Sequence, residues 1–248
     1  MRADDVTISD QKLMVEAQNY RQWMYRRIAP FLGRRILEVG AGIGNFTTLL
    51  LDRELVVALD AHPLCTGHFK TRFADTPNVS PVNLDIADPA ALALDRYKCD
   101  TVVCLNVLEH VEDDRAALSH MHSALTSGGR LVLLVPAFQF LYGSVDRALG
   151  HCRRYTKGEL VLKVRESGFE IQDVSYMNVI GMAGWFLNNR VLKRREESLA
   201  QIRLFDRVIA PCAERLERFV RPRIGLSLIA IGHKRGGARD KSARLSNR

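Results

Sequence analysis

The 248-residue sequence predicts a doubly wound α/β fold built around one largely parallel sheet. Three observations carry that reading. Short apolar runs alternate with helix-length segments through the first half of the chain. A glycine-rich turn, Gly40-Ala41-Gly42-Ile43-Gly44, follows the first apolar run directly. Polar side chains that accept hydrogen bonds then close successive runs, at Asp60, Asp85 and Asn106.

Residues 9–30 read as one helix, with Leu13, Ala17, Tyr20, Met24 and Ile28 at helical spacing. Ser9 or Asp10 is its expected cap, and Pro30 and Gly33 its stop. The first strand is 36–39, with Glu38 inside it. The glycine turn follows, and a helix is expected from about Asn45, with an electropositive N-terminus that favours an anion. The turn is spaced G-x-G-x-G rather than the G-x-G-x-x-G of dinucleotide folds. The run 55–59 is the second strand and ends in Asp60. The third, 79–84, ends in Asp85, and the fourth, 101–105, ends in Asn106. The fifth is 130–135, followed by Pro136 and the long connection AFQFLYGSVDRALGHCRRYT. A helix over 156–167 is expected next, with Thr156 and Glu159 as a capping box and Gly168 as its end.

Strands are then expected over 169–176 and 224–233, separated by residues 177–223. A structureless loop of that length is improbable in a compact domain, so a helical insertion is expected. Its second part, 198–220, puts Ile202, Phe205, Val208 or Ile209, Cys212, Leu216 and Phe219 on one stripe, with Arg203, Arg207, Arg215 and Arg218 on other faces. Pro211 is expected to break or kink it near Ala210. Such a helix suits either an anionic membrane surface or packing on its own domain, and the second is the favoured reading. The tail 235–248 is polar and is expected to be disordered. The domain expectation is thus a single domain, with a core of 34–176 and 224–234.

Residues 151–248 hold 21 Lys and Arg against 10 Asp and Glu, so the net charge of +8 resides in the C-terminal half. A basic half suits nucleic acid, anionic lipid, a phosphorylated substrate or plain solvent. Five cysteines without metal-site spacing and the polar, acidic start MRADDVTISD lead to the expectation of a cytoplasmic protein with reduced thiols, membrane-peripheral at most.

The segments LEVGAGIGNFT (37–47), VVALD (56–60), NLDIAD (83–88), NVLEHVED (106–113) and SGGRLVLLVP (127–136) together resemble the class I S-adenosylmethionine-dependent methyltransferases. The resemblance implies a Rossmann-like seven-stranded sheet of order 3-2-1-4-5-7-6, with strand 7 antiparallel. It implies S-adenosyl-L-methionine as cofactor and an in-line methyl transfer. The backbone at Gly40, Gly42 and Gly44 would cradle the methionine portion, with Glu38 ordering the turn. Asp60, with Ala61 beside it, would take the ribose, and Asp85 and Ile86 the adenine. Asn106 and Val107 would offer backbone to the amino end. A helix before the first strand lids the cofactor in this superfamily, which makes 9–30 a lid and Tyr20 a substrate contact.

On the acceptor side, the expected acid–base groups are His151, Tyr155 and His110. His151 stands as base or orienter, or else locks its loop together with Tyr155. Tyr142, Arg153 and Arg154 are the expected substrate contacts. Glu109 and His110 with His151 resemble the metal site of small-RNA 2′-O-methyltransferases and the E-x-x-E-H run of ubiquinone-pathway O-methyltransferases. Asn106 stands where their first Glu does, so a charged ligand is missing and no metal is expected. The acceptor expected is a small amphiphilic or acidic molecule, O-methylated by a monomer or homodimer. The alternatives are a nucleic-acid methyltransferase using the basic half, and a non-catalytic cofactor-binding scaffold.

Overall fold

The computed structural model describes residues 11–192 and 198–236. Its centre is a seven-stranded sheet of order β3-β2-β1-β4-β5-β7-β6. The strands are β1 (Arg35–Val39), β2 (Leu55–Asp60), β3 (Val79–Asn83), β4 (Cys99–Leu105), β5 (Leu125–Pro136), β6 (Phe169–Met177) and β7 (Ser227–Lys234). The first five pair in parallel, and β7 runs antiparallel to both β5 and β6.

Alternation along the strands sorts the core into two layers. Leu37, Val39, Val57 and Leu59 face one side, where α3 (Asp114–Ala124) and α5 (Lys157–Glu166) cover them. Ile36, Val56, Ala58 and Val103 face the other, under α1 (Gln18–Ile28), α2 (Pro63–Arg72) and the insertion. Trp23 and Ile28 of α1 are fully buried in that second layer.

Several elements depart from expectation. The N-terminal segment is not one helix. A 3₁₀ turn at Met14–Glu16 and a break at Ala17 (φ −85°, ψ 57°) precede α1. Ser9 and Asp10, the expected caps, lie outside the described residues. No α-helix follows the glycine turn, only one 3₁₀ turn at Thr47–Leu49. Two adjacent β-branched threonines and a return to β2 by Leu55 leave little room for a helix. Thr156 does cap α5, accepting from the Glu159 N–H at 3.2 Å.

The insertion is helical. α6 (Val179–Phe186) runs on into a π-helical turn, Leu187–Val191. α7 (Leu199–Leu204), a π-helical turn (Phe205–Ile209) and α8 (Ala210–Phe219) form a second continuous helical run. Pro211 therefore does not break the helix. It sits in the first turn of α8, and the wider turn before it, closed by Ala210 N–H to the Phe205 carbonyl, accommodates the ring. The insertion packs on α1: Asp206 accepts from Tyr20 N–H at 2.9 Å, and Arg26 and Arg27 pair with Glu214 and Glu217. Residues 237–248, most of the expected disordered tail, lie outside the described residues.

Candidate active site

The strand order reverses between β1 and β4, which opens a crevice at the C-terminal ends of the strands. The glycine turn sits there. Gly40 and Ala41 N–H both donate to the Leu59 carbonyl, at 2.8 and 2.9 Å. Gly40 has φ +74°, and a Cβ on it would overlap the Val107 side chain, so geometry and space both demand glycine. Asp60 ties the turn to the tip of β2. Its two carboxylate oxygens accept from Gly42 N–H at 2.7 Å and His62 N–H at 2.8 Å. Each oxygen keeps a lone pair for a further donor. Glu38 is buried, and its carboxylate accepts from Thr47 Oγ1–H at 2.6 Å. Burial pushes its pKa up to about 7 although the Thr47 hydroxyl opposes that, and nearby Asp60 adds to the rise.

A cleft of 840 Å³ lies over these strand tips. Glu38, Gly40, Asp60, Ala61, Asp85, Ile86, Asn106 and Val107 line it. Gly42 and Gly44 do not. Gly44 (φ +84°) faces Phe69 and Phe73, so it serves the packing of α2 rather than the cleft. Asp85 is exposed, with one oxygen accepting from Ala87 N–H at 2.8 Å. Asn106 is left-handed (φ +53°), and its N–H donates to Leu134 on β5 at 2.8 Å. Of its backbone groups the carbonyl is therefore left to meet a ligand, and a carbonyl is the group that an amino end would donate to. From the N-terminal segment, Gln11, Met14, Arg21 and Met24 line the cleft. Tyr20 is not among them: it is buried edge-on between Trp23 and Phe205 and belongs to the seam between α1 and the insertion.

At one end of the cleft stands His110. Desolvation, and then the neighbouring His151, push its imidazole down to about 4, so it is neutral at pH 7. His151 lies behind it, with ring centroids 4.6 Å apart at 89°. His151 Nδ1 is 2.9 Å from Asp146 Oδ1. Asp146, on the short helix α4 (Ser144–Ala148), is fully buried and gathers several donors. Arg154 Nε (2.7 Å), Asn189 Nδ2 (2.8 Å) and Gly143 N–H (2.9 Å) all reach it. Burial alone would raise this carboxyl. The His151 bond, the Arg154 charge and the Asn189 and Gly143 bonds bring it to about 2 instead.

Glu109 completes the group. Its side chain is fully buried, and neither carboxylate oxygen has a hydrogen-bond partner among the described residues. Burial pushes it up to about 7, with the charges of His151 and Arg154 pulling the other way. Donor atoms of Glu109, His110 and His151 lie within 4.8 Å of one another. One carboxylate and two imidazoles can pass a proton, and they are also donors that suit zinc or iron better than magnesium.

Other expected contacts lie elsewhere. Tyr155 is fully buried, and its hydroxyl donates to Asp114 at 2.9 Å, with the Leu108 carbonyl 3.2 Å away. Burial and then the Asp114 charge raise its pKa far beyond the ordinary phenol range, so it locks the loop and cannot serve as a base. Arg154 is buried on Asp146, and Arg153 is half-buried on Asp114 at 2.9 Å. Tyr142 donates to the His151 carbonyl at 2.8 Å and does not line the cleft. These side chains are engaged within the loop that follows β5. Asp146 was missed in the sequence, where its only signal is an acid five residues before His151.

A family model described as a methyltransferase domain matches residues 16–174. That span holds the five parallel strands, the glycine turn and the His110–His151 pair. The chain belongs to the methyltransferase-domain family. Among S-adenosylmethionine-dependent methyltransferases, a probable one from Mycolicibacterium smegmatis is 29% identical over 154 residues, 60% of this chain and 58% of its own. The ubiquinone biosynthesis O-methyltransferase of Xanthomonas euvesicatoria is 27% identical over 169 residues, 58% of this chain and 66% of its own. The chain thus spans less than two thirds of the length of these two relatives. A solved S-adenosylmethionine-dependent methyltransferase of Thermotoga maritima shares the fold, with a TM-score of 0.62 at 13% identity over 94% of this chain and 98% of that one.

The methyltransferase cofactor is S-adenosyl-L-methionine, and the cleft fits it. The volume is that of a site for a nucleoside-sized ligand. Two acids on adjacent strand ends and a glycine turn with no side chain at Gly40 offer the acceptor groups and bare backbone such a ligand needs.

Proposed function

We propose that this methyltransferase domain O-methylates a small amphiphilic or acidic molecule. The observation that carries the reading is geometric: the His110 imidazole lines the cleft, with the His151–Asp146 pair packed behind it. S-adenosylmethionine, when bound, supplies an activated methyl group. Asp60 is assigned the ribose hydroxyls, Asp85 and Ile86 the adenine edge, and the Gly40 turn the methionine portion. His110 takes the proton that the acceptor hydroxyl loses as the methyl group is transferred; its lowered pKa leaves it free to accept, but as a weaker base than an ordinary imidazole. His151 and Asp146 orient it. The name of the Xanthomonas relative, an O-methyltransferase of ubiquinone biosynthesis, supports oxygen as the acceptor atom. The apolar lid residues Met14 and Met24 support an acceptor with an apolar portion. A cytoplasmic setting accords with five unpaired cysteines. The proposal needs no metal.

The test is S-adenosylhomocysteine formation across a panel of hydroxylated aromatic and long-chain acids, with amine analogues as controls. Turnover of hydroxyl but not amine compounds, lost in His110→Ala, supports the reading. Turnover of amines alone overturns it.

A further inference from the structure

The second helical run of the insertion, 199–219, turns its acids inward and displays apolar side chains. In the run 199–219, Asp206, Glu214 and Glu217 all turn inward onto α1. The outward row is Leu204, Val208, Cys212, Leu216 and Phe219, at helical i+4 and i+3 spacing. Leu204 is 59% exposed and Phe219 is 89% exposed. Beside this row runs a basic one, Arg203, Arg207, Arg215 and Arg218. Arg203 and Arg218 are paired, with Glu16 and Glu214. Arg207 and Arg215 make no ion pair among the described residues. α6 repeats the pattern: VIGMAGWF contains no charged side chain, yet Ile180 and Phe186 are exposed. A water-facing helix normally keeps its polar residues outside, and a contiguous outward apolar row marks an interaction surface.

We propose that this face docks on an anionic lipid surface. Apolar row and flanking arginines together form the pattern of a helix that lies in the bilayer interface. Charge selects the occupant. Free guanidinium groups beside the row match lipid phosphates, and the C-terminal half carries 21 basic against 10 acidic residues. A second copy is a poorer occupant, because a two-fold contact would set the basic row of one copy against that of the other. No described helix is long and apolar enough to cross a membrane, so contact is confined to the surface. Asn189, on the same insertion, holds Asp146 behind the cleft, so the docking face and the acceptor side share one element.

The experiment is co-sedimentation of the full chain with vesicles of phosphatidylcholine alone or mixed equally with phosphatidylglycerol. The expected result is binding to the anionic vesicles, weakened by salt. Val208→Glu with Leu216→Glu, and separately Arg207→Glu with Arg215→Glu, should each reduce it roughly tenfold or more. Because these side chains are exposed, circular dichroism and S-adenosylhomocysteine affinity should not change. Equal binding to neutral vesicles, no binding, or binding unaltered in both variants overturns the proposal. So does a dimer in sedimentation equilibrium that Val208→Glu dissociates, which would make a second copy the occupant.

Discussion

His151 Nδ1 lies 2.9 Å from Asp146 Oδ1, and that same oxygen accepts from Arg154 Nε at 2.7 Å. One buried carboxylate thus orients the second imidazole of the site and neutralises a buried guanidinium. Removing it leaves Arg154, Asn189 and the Gly143 N–H without their acceptor. Asp146→Ala should cost roughly 3 kcal/mol or more of stability, read by denaturant unfolding. Asp146→Asn should lose less, since it keeps the shape and one acceptor oxygen. Wild-type stability in Asp146→Ala would remove Asp146 from the centre of this network.

His110 is held below the ordinary imidazole range, at about 4. A histidine with a lowered folded pKa favours folding above its unfolded value near 6.5 and loses that contribution as pH falls towards 4. Its NMR ring signals should therefore stay those of the neutral form down to about pH 5. A midpoint near 6.5 would contradict the geometry around it.

Glu109 has the opposite sign. Its pKa is raised to about 7, so its contribution is present below pH 4.5 and is lost as pH rises to 7, where ionisation in the folded state costs most. Glu109→Gln should match wild type at pH 4.5 and exceed its stability at pH 8 by about 1–3 kcal/mol. Chelation with EDTA should leave melting temperature and turnover as they are. A drop in either on chelation would make Glu109, His110 and His151 a metal centre.

Gly40 is fixed by φ +74° and by contact with Val107. Gly40→Ala should destabilise by about 1–3 kcal/mol and weaken cofactor binding, because turn and cleft wall move together. Gly44→Ala, aimed at Phe69 and Phe73, should destabilise while changing affinity much less. Equal losses of affinity in both would put Gly44 at the cleft after all.

The sheet was legible because its parallel strands are short apolar runs stopped by a glycine, a hydrogen-bonding tip or, after β5, Pro136. The motifs around those tips, through the family they resemble, also marked Glu38, Gly40, Asp60, Asp85 and Asn106 in the sequence, and all five line the cleft. Side chains whose role depends on distant partners were not legible. Arg154 read as a substrate contact, but Asp146 buries it, and for Tyr155 the sequence left base and loop lock open until its bond to Asp114 favoured the lock. Asp146 gave no local sign, because its donors come from positions 143, 151, 154 and 189. In the insertion, periodicity located the helices but not which stripe faces outward. Periodicity marks an apolar row without saying whether protein covers it. The acids Asp206, Glu214 and Glu217, drawn to α1, set the orientation.

The central claim is that the cleft over the strand tips holds S-adenosylmethionine through the Asp60-anchored glycine turn. Calorimetric titration with S-adenosylhomocysteine tests it most directly, comparing wild type with Asp60→Ala. The account predicts saturable one-site binding in the wild type and at least a roughly tenfold loss in the variant, as expected when a hydrogen-bonding carboxylate is removed. Equal affinity in the two proteins would contradict it.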